Sequence, residues 1–167
     1  RLVAPAAATD EDILTFHTPD YLEVVKDLSS GVAFPEAWEY GFGIADNPPF
    51  PGMYEASLLY TGGSISAAEL VMAGEVERAF NISGGLHHAM PGRASGFCIF
   101  NDPVIAINRL MREYDRIAYI DIDAHHGDGV QAAFYETARV LTISLHESGE
   151  YLFPGTGFVQ EIGRGEG

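Results

Sequence analysis

The sequence predicts an α/β fold in which a parallel sheet is covered by helices on both faces. Three observations carry that expectation. Short apolar, β-prone runs occur at residues 78–83, 116–120 and 139–145. Stretches with helical spacing lie between and before them, and strands alternating with helices build parallel sheets. Just past the first two runs come glycine-rich loops dense in histidine and aspartate. The carboxyl ends of strands are where open α/β sheets bind their ligands.

Taken in order, residues 1–8 are apolar and alanine-rich and read as a strand or an extended entry. Thr9-Asp10-Glu11-Asp12 is expected to cap a short helix reaching about Phe16, since acidic residues favour a helix N-terminus. Thr18-Pro19 supplies an N-cap and a first helical position, opening a helix over residues 20–28. His17, just before it, reads as a hydrogen-bonded structural histidine rather than a ligand. Residues 31–52 are irregular, with Pro35, Pro48, Pro49 and Pro51 among aromatics; a loop this long in a compact domain is often functional. Residues 55–73 have the length and composition of a helix ended by Gly74. Its Gly62-Gly63 pair costs about 1 kcal/mol each relative to alanine. Close packing against the sheet or a kink would account for the pair. Asn101-Asp102-Pro103 opens a helix running to about Tyr114, with Asp102 read as its N-cap in preference to a catalytic role. After the strand at 116–120, Val130, Ala133 and Phe134 stand at helical spacing within a helix over 127–137.

The densest chemistry is Ile120-Asp121-Ile122-Asp123-Ala124-His125-His126-Gly127-Asp128-Gly129. Strand alternation puts Asp121 and Asp123 on one face. His125 follows where the strand loosens, and Gly127 and Gly129 permit a tight turn. Two oxygen donors and one nitrogen donor converging there suit a divalent ion such as zinc in an open, catalytic site. The plainer alternative is an acidic cap with a solvated histidine. Upstream, Gly84-Gly85-Leu86-His87-His88 is followed by Pro91-Gly92-Arg93-Ala94-Ser95-Gly96-Phe97-Cys98. Two surface histidines in a flexible loop are the alternative there, and the acidic stretch downstream argues against it.

Together the two stretches resemble the zinc-dependent histone deacetylase family, within the wider arginase/deacetylase fold. The flanks, Phe50-Pro51-Gly52-Met53 and Tyr151-Leu152-Phe153-Pro154-Gly155-Thr156-Gly157, look most like its bacterial acetoin-utilisation branch. The resemblance runs from about Phe16 onward and implies a three-layer fold, incomplete at both ends of this chain. It implies hydrolysis of the acetyl amide of acetyl-lysine, or of a related acetylated small amine, with release of acetate. Asp123 and His125 match the family's ligands for one Zn2+, or another divalent ion. The third ligand is an aspartate from a later loop to which no part of this chain corresponds.

The same resemblance pairs His88 with Asp128 as general base and His87 with Asp121 as electrostatic partner, each aspartate orienting its imidazole. Phe97 and Phe153 match aromatic walls around the lysine stem, and burial of that stem contributes about 0.8 kcal/mol per methylene. The backbone carbonyl of Gly96 is placed to accept the substrate amide proton, and Asp46 is the candidate rim carboxylate. Asp121, Asp123, His125, Ser144 and Leu145 match an inner site for structural K+; Phe134, Thr137 and Val140 match part of a second.

Composition bounds the rest. The 167 residues are one domain's worth of chain, read as part of a single deacetylase catalytic domain. A net charge of −15, from 24 acidic against 9 basic residues, argues against direct nucleic-acid binding, which needs a basic footprint. No apolar run is long enough to span a bilayer, and no charged-then-apolar leader opens the chain. The single cysteine, Cys98, cannot form an internal disulfide, which makes a reducing cytoplasm the simplest compartment and a small buried hydrophobe its default role. The start at Arg1 and the stop at Gly167 suggest a piece of a longer protein. Two rivals remain. A ureohydrolase of the same fold bridges two manganese ions with an Asp-Ala-His-x-Asp motif, but Gly127 stands at its second aspartate. A non-catalytic acyl-lysine-binding module would keep the pocket without turnover. Residues 1–167 alone are expected to bind zinc poorly, to lack activity and to associate.

Overall fold

The computed structural model describes residues 1–43 and 46–167. Thr9 starts the first helix, α1 (Asp10–Ile13), through a capping box: its Oγ1 accepts from Asp12 N, and its own N–H donates to the Asp12 carboxylate. Pro19 opens α2 (Pro19–Ser29), whose buried face carries Tyr21, Leu22, Val24, Val25 and Leu28. A 3-10 turn at Ala37–Tyr40 interrupts the irregular stretch expected over 31–52, of which positions 44 and 45 lie outside the described residues. The long helix α3 (Met53–Met72) follows, then α4 (Asp102–Leu110), β1 (Ile117–Asp121), α5 (Asp128–Phe134) and β2 (Val140–Ser144).

The two strands pair in parallel, in a register that sets Ile117 beside Val140 and Asp121 beside Ser144. With α5 between them they form a βαβ unit, as expected from the sequence. Val104 and Ile107 of α4 meet Val130 and Phe134 of α5 and Val140 of β2 in a core against one face of this sheet. The opposite face, following the strand period of two, carries Ile120, Leu141 and Ile143, all exposed. A second core gathers Ile13, α2, Met53, Ile65, Phe100 and Ile105 around Tyr21, whose hydroxyl donates to Ile99 O at 2.7 Å. No helix among the described residues is long and apolar enough to cross a membrane.

Four expectations need correction. Residues 78–83 form no strand: they make no ladder with β1 or β2, and Phe80 and Ile82 are almost fully exposed. An apolar β-prone run becomes a strand only where a neighbour completes its hydrogen bonds. The Gly62-Gly63 pair does serve close packing, but against residues 6–8 and Asn81 rather than the sheet. A Cβ at Gly62 would run into Ala6 O, and Ala8 N donates to Leu58 O alongside. The N-cap of α4 is Asn101, whose Oδ1 accepts from Val104 N at 3.1 Å, so Asp102 is the first helical residue with its carboxylate free for other partners. That helix also ends early. Its last turn is followed by carbonyls of Met111 and Tyr114 that receive the Arg139 guanidinium at 2.7 and 3.0 Å.

His17 is the structural histidine expected. It is buried; its Nδ1–H donates to Pro91 O at 3.2 Å, and its Nε2 accepts Asn101 N–H at 3.0 Å. Burial lowers its pKa from 6.5 to about 4, against the pull of the Pro91 and Met90 carbonyls. A protonated ring would also leave Asn101 N–H without an acceptor. With the folded pKa below the unfolded one, this contribution to stability is complete above about pH 6.5. It is lost as pH falls toward about 4, by roughly 3 kcal/mol in all. Denaturant midpoints of the full-length protein should therefore fall more steeply across this window than those of His17→Gln. Parallel pH profiles would show that His17 is not the linked group.

Candidate active site

Everything at the candidate site hangs from the carboxyl end of β1. Asp121 closes that strand with its carboxylate buried. It accepts from His87 Nδ1–H at 2.6 Å, Tyr119 Oη–H at 2.6 Å and Asp123 N–H at 3.0 Å. Burial alone would raise its pKa; these donors outweigh it and hold it at about 2. Burial likewise pulls His87 toward neutrality. The Asp121 hydrogen bond and the charges of Asp121, Asp123 and Asp128 prevail and raise its pKa. Because the strand ends at Asp121, alternation does not extend to Asp123. The two aspartates have different partners: Asp121 faces His87, whereas Asp123 accepts from His125 N–H at 2.7 Å and lies 3.0 Å from His125 Nδ1.

Asp128 opens α5 and accepts from His88 Nδ1–H at 2.7 Å. A carboxylate only accepts, so this bond fixes the His88 tautomer and leaves Nε2 as the ring's proton acceptor. The His87 and His88 rings are 4.1 Å apart. His88 stands nearly perpendicular to His125 at 5.9 Å and to Phe153 at 4.9 Å. Gly96 closes the group. A Cβ there would lie 2.5 Å from His88 Cδ2 and 2.9 Å from Phe153 Cε1, so only glycine leaves this gap open. Phe97 follows with φ +67°, a left-handed conformation uncommon for an aromatic residue, and its side chain projects into solvent. Phe153 thus joins the histidines, while Phe97 stands outward from them. Asp46 lies beside the same opening, in a cleft of about 300 Å³ shared with Trp38, Arg93, Gly96 and Phe153.

The Phe153 loop is tied down by a network that the sequence reading did not foresee. His126 Nε2–H donates to Gln131 Oε1 at 3.0 Å, and its Nδ1 accepts from Thr156 Oγ1 at 2.8 Å. Gln131 in turn donates to Glu161 at 2.6 Å, and Glu161 accepts the N–H groups of Gly157 and Phe158. His146 adds a donor to Gly157 O at 3.1 Å. Tyr119, likewise unforeseen, sits two residues before Asp121 on the same strand face, a signal that period two could have supplied.

Among the described residues, no group of three or more His, Cys, Asp or Glu side chains could hold a metal ion. Asp123 and His125 fit two positions of one. Their facing atoms are 3.0 Å apart and both side chains are half exposed. Two ligands on a tetrahedral zinc lie about 3.3 Å from each other. A second metal site on the ureohydrolase pattern has no room: a Cβ at Gly127 would strike the Asp121 carboxylate and lie 2.9 Å from His87 Nδ1. Of the residues matched to monovalent-cation sites, Asp121 and Ser144 are register partners, and Leu145 N donates to Asp121 O at 2.9 Å. Phe134 and Val140 pack in one core with Thr137 N donating to Phe134 O.

A histone deacetylase domain model matches residues 1–167. The acetoin utilization protein AcuC of Bacillus subtilis (strain 168) is 50% identical over 168 residues, covering 99% of this chain and 43% of that protein. AcuC of Staphylococcus aureus (strain MSSA476) is 45% identical, with 98% and 42% covered. The chain thus spans less than half the length of these relatives. The crystal structure of an HDAC homolog from Aquifex aeolicus superposes with a TM-score of 0.93 at 45% identity, covering 99% of this chain and 45% of the other. An HDAC homolog complexed with SAHA superposes at 0.92 and 43%. The α/β class read from the sequence, a parallel sheet flanked by helices, is the fold these structures share.

Proposed function

The chain belongs to the histone deacetylase family, and from that membership we propose that the protein hydrolyses the acetyl amide of an acetylated lysine side chain, or of a related acetylated amine. One observation carries the reading. His88 with its Asp128 partner, the Asp123–His125 pair and Phe153 meet at the opening that Gly96 keeps clear. Asp123 and His125 would hold a zinc ion together with a ligand from outside the described residues. Bound there, zinc supplies Lewis acidity, which acidifies water and polarises a carbonyl.

His88 takes the proton of the attacking water at Nε2, and the Asp128 carboxylate stabilises the imidazolium that results. The C–O bond forms, the amide C–N bond breaks, and the same proton passes to the departing amine, leaving acetate. His87 stays close to its charged form beside Asp121 and contributes positive potential where oxygen gains negative charge. Phe153 and Phe97 wall the aliphatic stem. Gly96 O accepts the substrate amide N–H, and Asp46 grips substrate backbone at the rim. The monovalent-cation residues Asp121, Asp123, His125, Ser144 and Leu145, and Phe134, Thr137 and Val140, would hold structural potassium that tempers the local negative charge.

The test is turnover and metal dependence in the full-length protein. An acetyl-lysine peptide should release acetate, a chelator should abolish that release, and about one equivalent of zinc should restore it. Release of urea from a guanidino substrate, with two manganese ions bound, would replace this reading by the ureohydrolase one. Tight peptide binding without acetate release would favour the binding module.

A further inference from the structure

The loop that presents His87 and His88 begins with two glycines and has no regular structure, yet both imidazoles are buried in fixed positions. Its backbone is held from α4. Asp102, 1% exposed, accepts Leu86 N–H at 2.9 Å and Gly85 N–H at 3.1 Å on its carboxylate. Asn101, fully buried, donates its amide Nδ2 to His87 O at 3.2 Å and to Ala89 O at 3.0 Å. We propose that Asn101 and Asp102 are positioning residues for the histidine pair, gripping its loop by amides on one side and carbonyls on the other. This inference rests on the deacetylase reading given above.

Helix capping alone does not explain these side chains. The cap uses only Asn101 Oδ1, which accepts from Val104 N, and its amide nitrogen is spent wholly on the histidine loop. An acidic residue in a first helical turn needs no burial to favour the helix, yet Asp102 is buried and backed from behind. Ser64 Oγ donates to it, and Asn81 Nδ2 donates to Ser64 Oγ at 2.9 Å and to Tyr60 O at 2.8 Å. The chain of bonds thus runs from α3 through Asn81, Ser64 and Asp102 into the loop.

The clamp also sets the loop against its catalytic partner. A Cβ at Gly129 would lie 2.5 Å from Ala89 O, 2.6 Å from His87 O and 2.7 Å from Asn101 Nδ2. The first turn of α5 therefore touches the same carbonyls that Asn101 holds, and the residue before Gly129 is Asp128, the partner of His88. Asn101 and Asp102 act through the loop on the alignment of His88 with Asp128 and with the Asp123–His125 pair. Misplacement of such groups by about 1 Å costs up to about 100-fold in rate.

The decisive variant is Asn101→Ser in the full-length protein. Serine keeps an N-cap acceptor but has no amide to reach the two carbonyls. We expect kcat to fall on the order of 10-fold or more while KM for an acetyl-lysine peptide stays within about threefold and the denaturation midpoint moves little. Asp102→Ala should act in the same direction and speed hydrogen exchange at Gly85 and Leu86. Asp102→Asn should recover part of kcat, since its amide oxygen still accepts from Leu86. Wild-type kcat in folded Asn101→Ser overturns the proposal, and it decides alone if Asp102→Ala does not fold. The Nδ1–H resonances of His87 and His88 separate this failure from failure of the functional reading. If the wild-type protein shows no acetyl-lysine turnover, the deacetylase reading falls. The clamp is still supported if those resonances broaden or shift in Asn101→Ser, and overturned if they do not.

Discussion

In the full-length protein, His88→Ala is expected to lower turnover of an acetyl-lysine peptide by about 100-fold or more, the usual scale for lost acid–base catalysis. The expectation follows from geometry. Asp128 holds Nδ1–H at 2.7 Å, so the ring offers Nε2 alone to take a proton from water and return it to an amine. KM should change little, because the ring contributes to moving a proton rather than to gripping the lysine stem. Metal content should stay at the wild-type level, since Asp123 and His125 are untouched. His87→Ala should be milder. Its ring is engaged by Asp121 at 2.6 Å, and the role proposed for it is electrostatic. Near-normal rates for His88→Ala, with His87→Ala the more damaging, would exchange the two roles.

Asp123→Ala and His125→Ala should each remove the bound metal and with it all measurable turnover. Asp123 Oδ1 and His125 Nδ1 face each other at 3.0 Å, and in the proposed site each would supply one of the few protein ligands that a catalytic zinc site contains. Loss of one from a three-ligand site leaves two, and the positions that open fall to water. Metal analysis of the purified full-length protein should find about one zinc-type ion per chain in the wild type and close to none in either variant. The fold should survive, because both side chains are half exposed and neither belongs to a core. Undiminished metal content in these variants would move the site elsewhere, and two tightly held ions in the wild type would favour the two-metal chemistry.

Asp102 and Asn101 show how local rules mislead near a functional loop. Either residue type caps helices, and Asp102 stands directly before Pro103, so a cap at Asp102 was the natural reading. The helix begins one residue earlier, and the freed carboxylate reaches back 16 residues to Leu86 N and 17 to Gly85 N. No propensity encodes such a reach. The run at 78–83 failed for a related reason. Its composition is that of a strand, but strand formation depends on a neighbour that supplies hydrogen bonds across the chain. Gly62-Gly63 was legible as close packing, whereas its contacts, residues 6–8 and Asn81, came from remote segments.

What the sequence by itself determined about this protein is the set of local elements and the chemistry at their ends. Capping residues, proline at first helical turns and apolar periodicity located the helices to within a few residues. The strand runs before Asp121 and before Leu145 placed β1 and β2, because those signals are carried by neighbours in the chain. The clustering of Asp121, Asp123, His125 and Asp128 with His87 and His88 was likewise legible as a family's motif. The family resemblance also implied that Asp128 pairs with His88 and Asp121 with His87, and the structure makes both bonds. Only the tertiary structure decided that Gly96 must stay bare between His88 and Phe153, and that His126, Tyr119, Asn101 and Asp102 hold the site in place. Those are contacts between segments 30 or more residues apart, or hydrogen bonds whose partners are chosen by packing, and a buried polar group takes whichever partner the fold brings within about 3 Å.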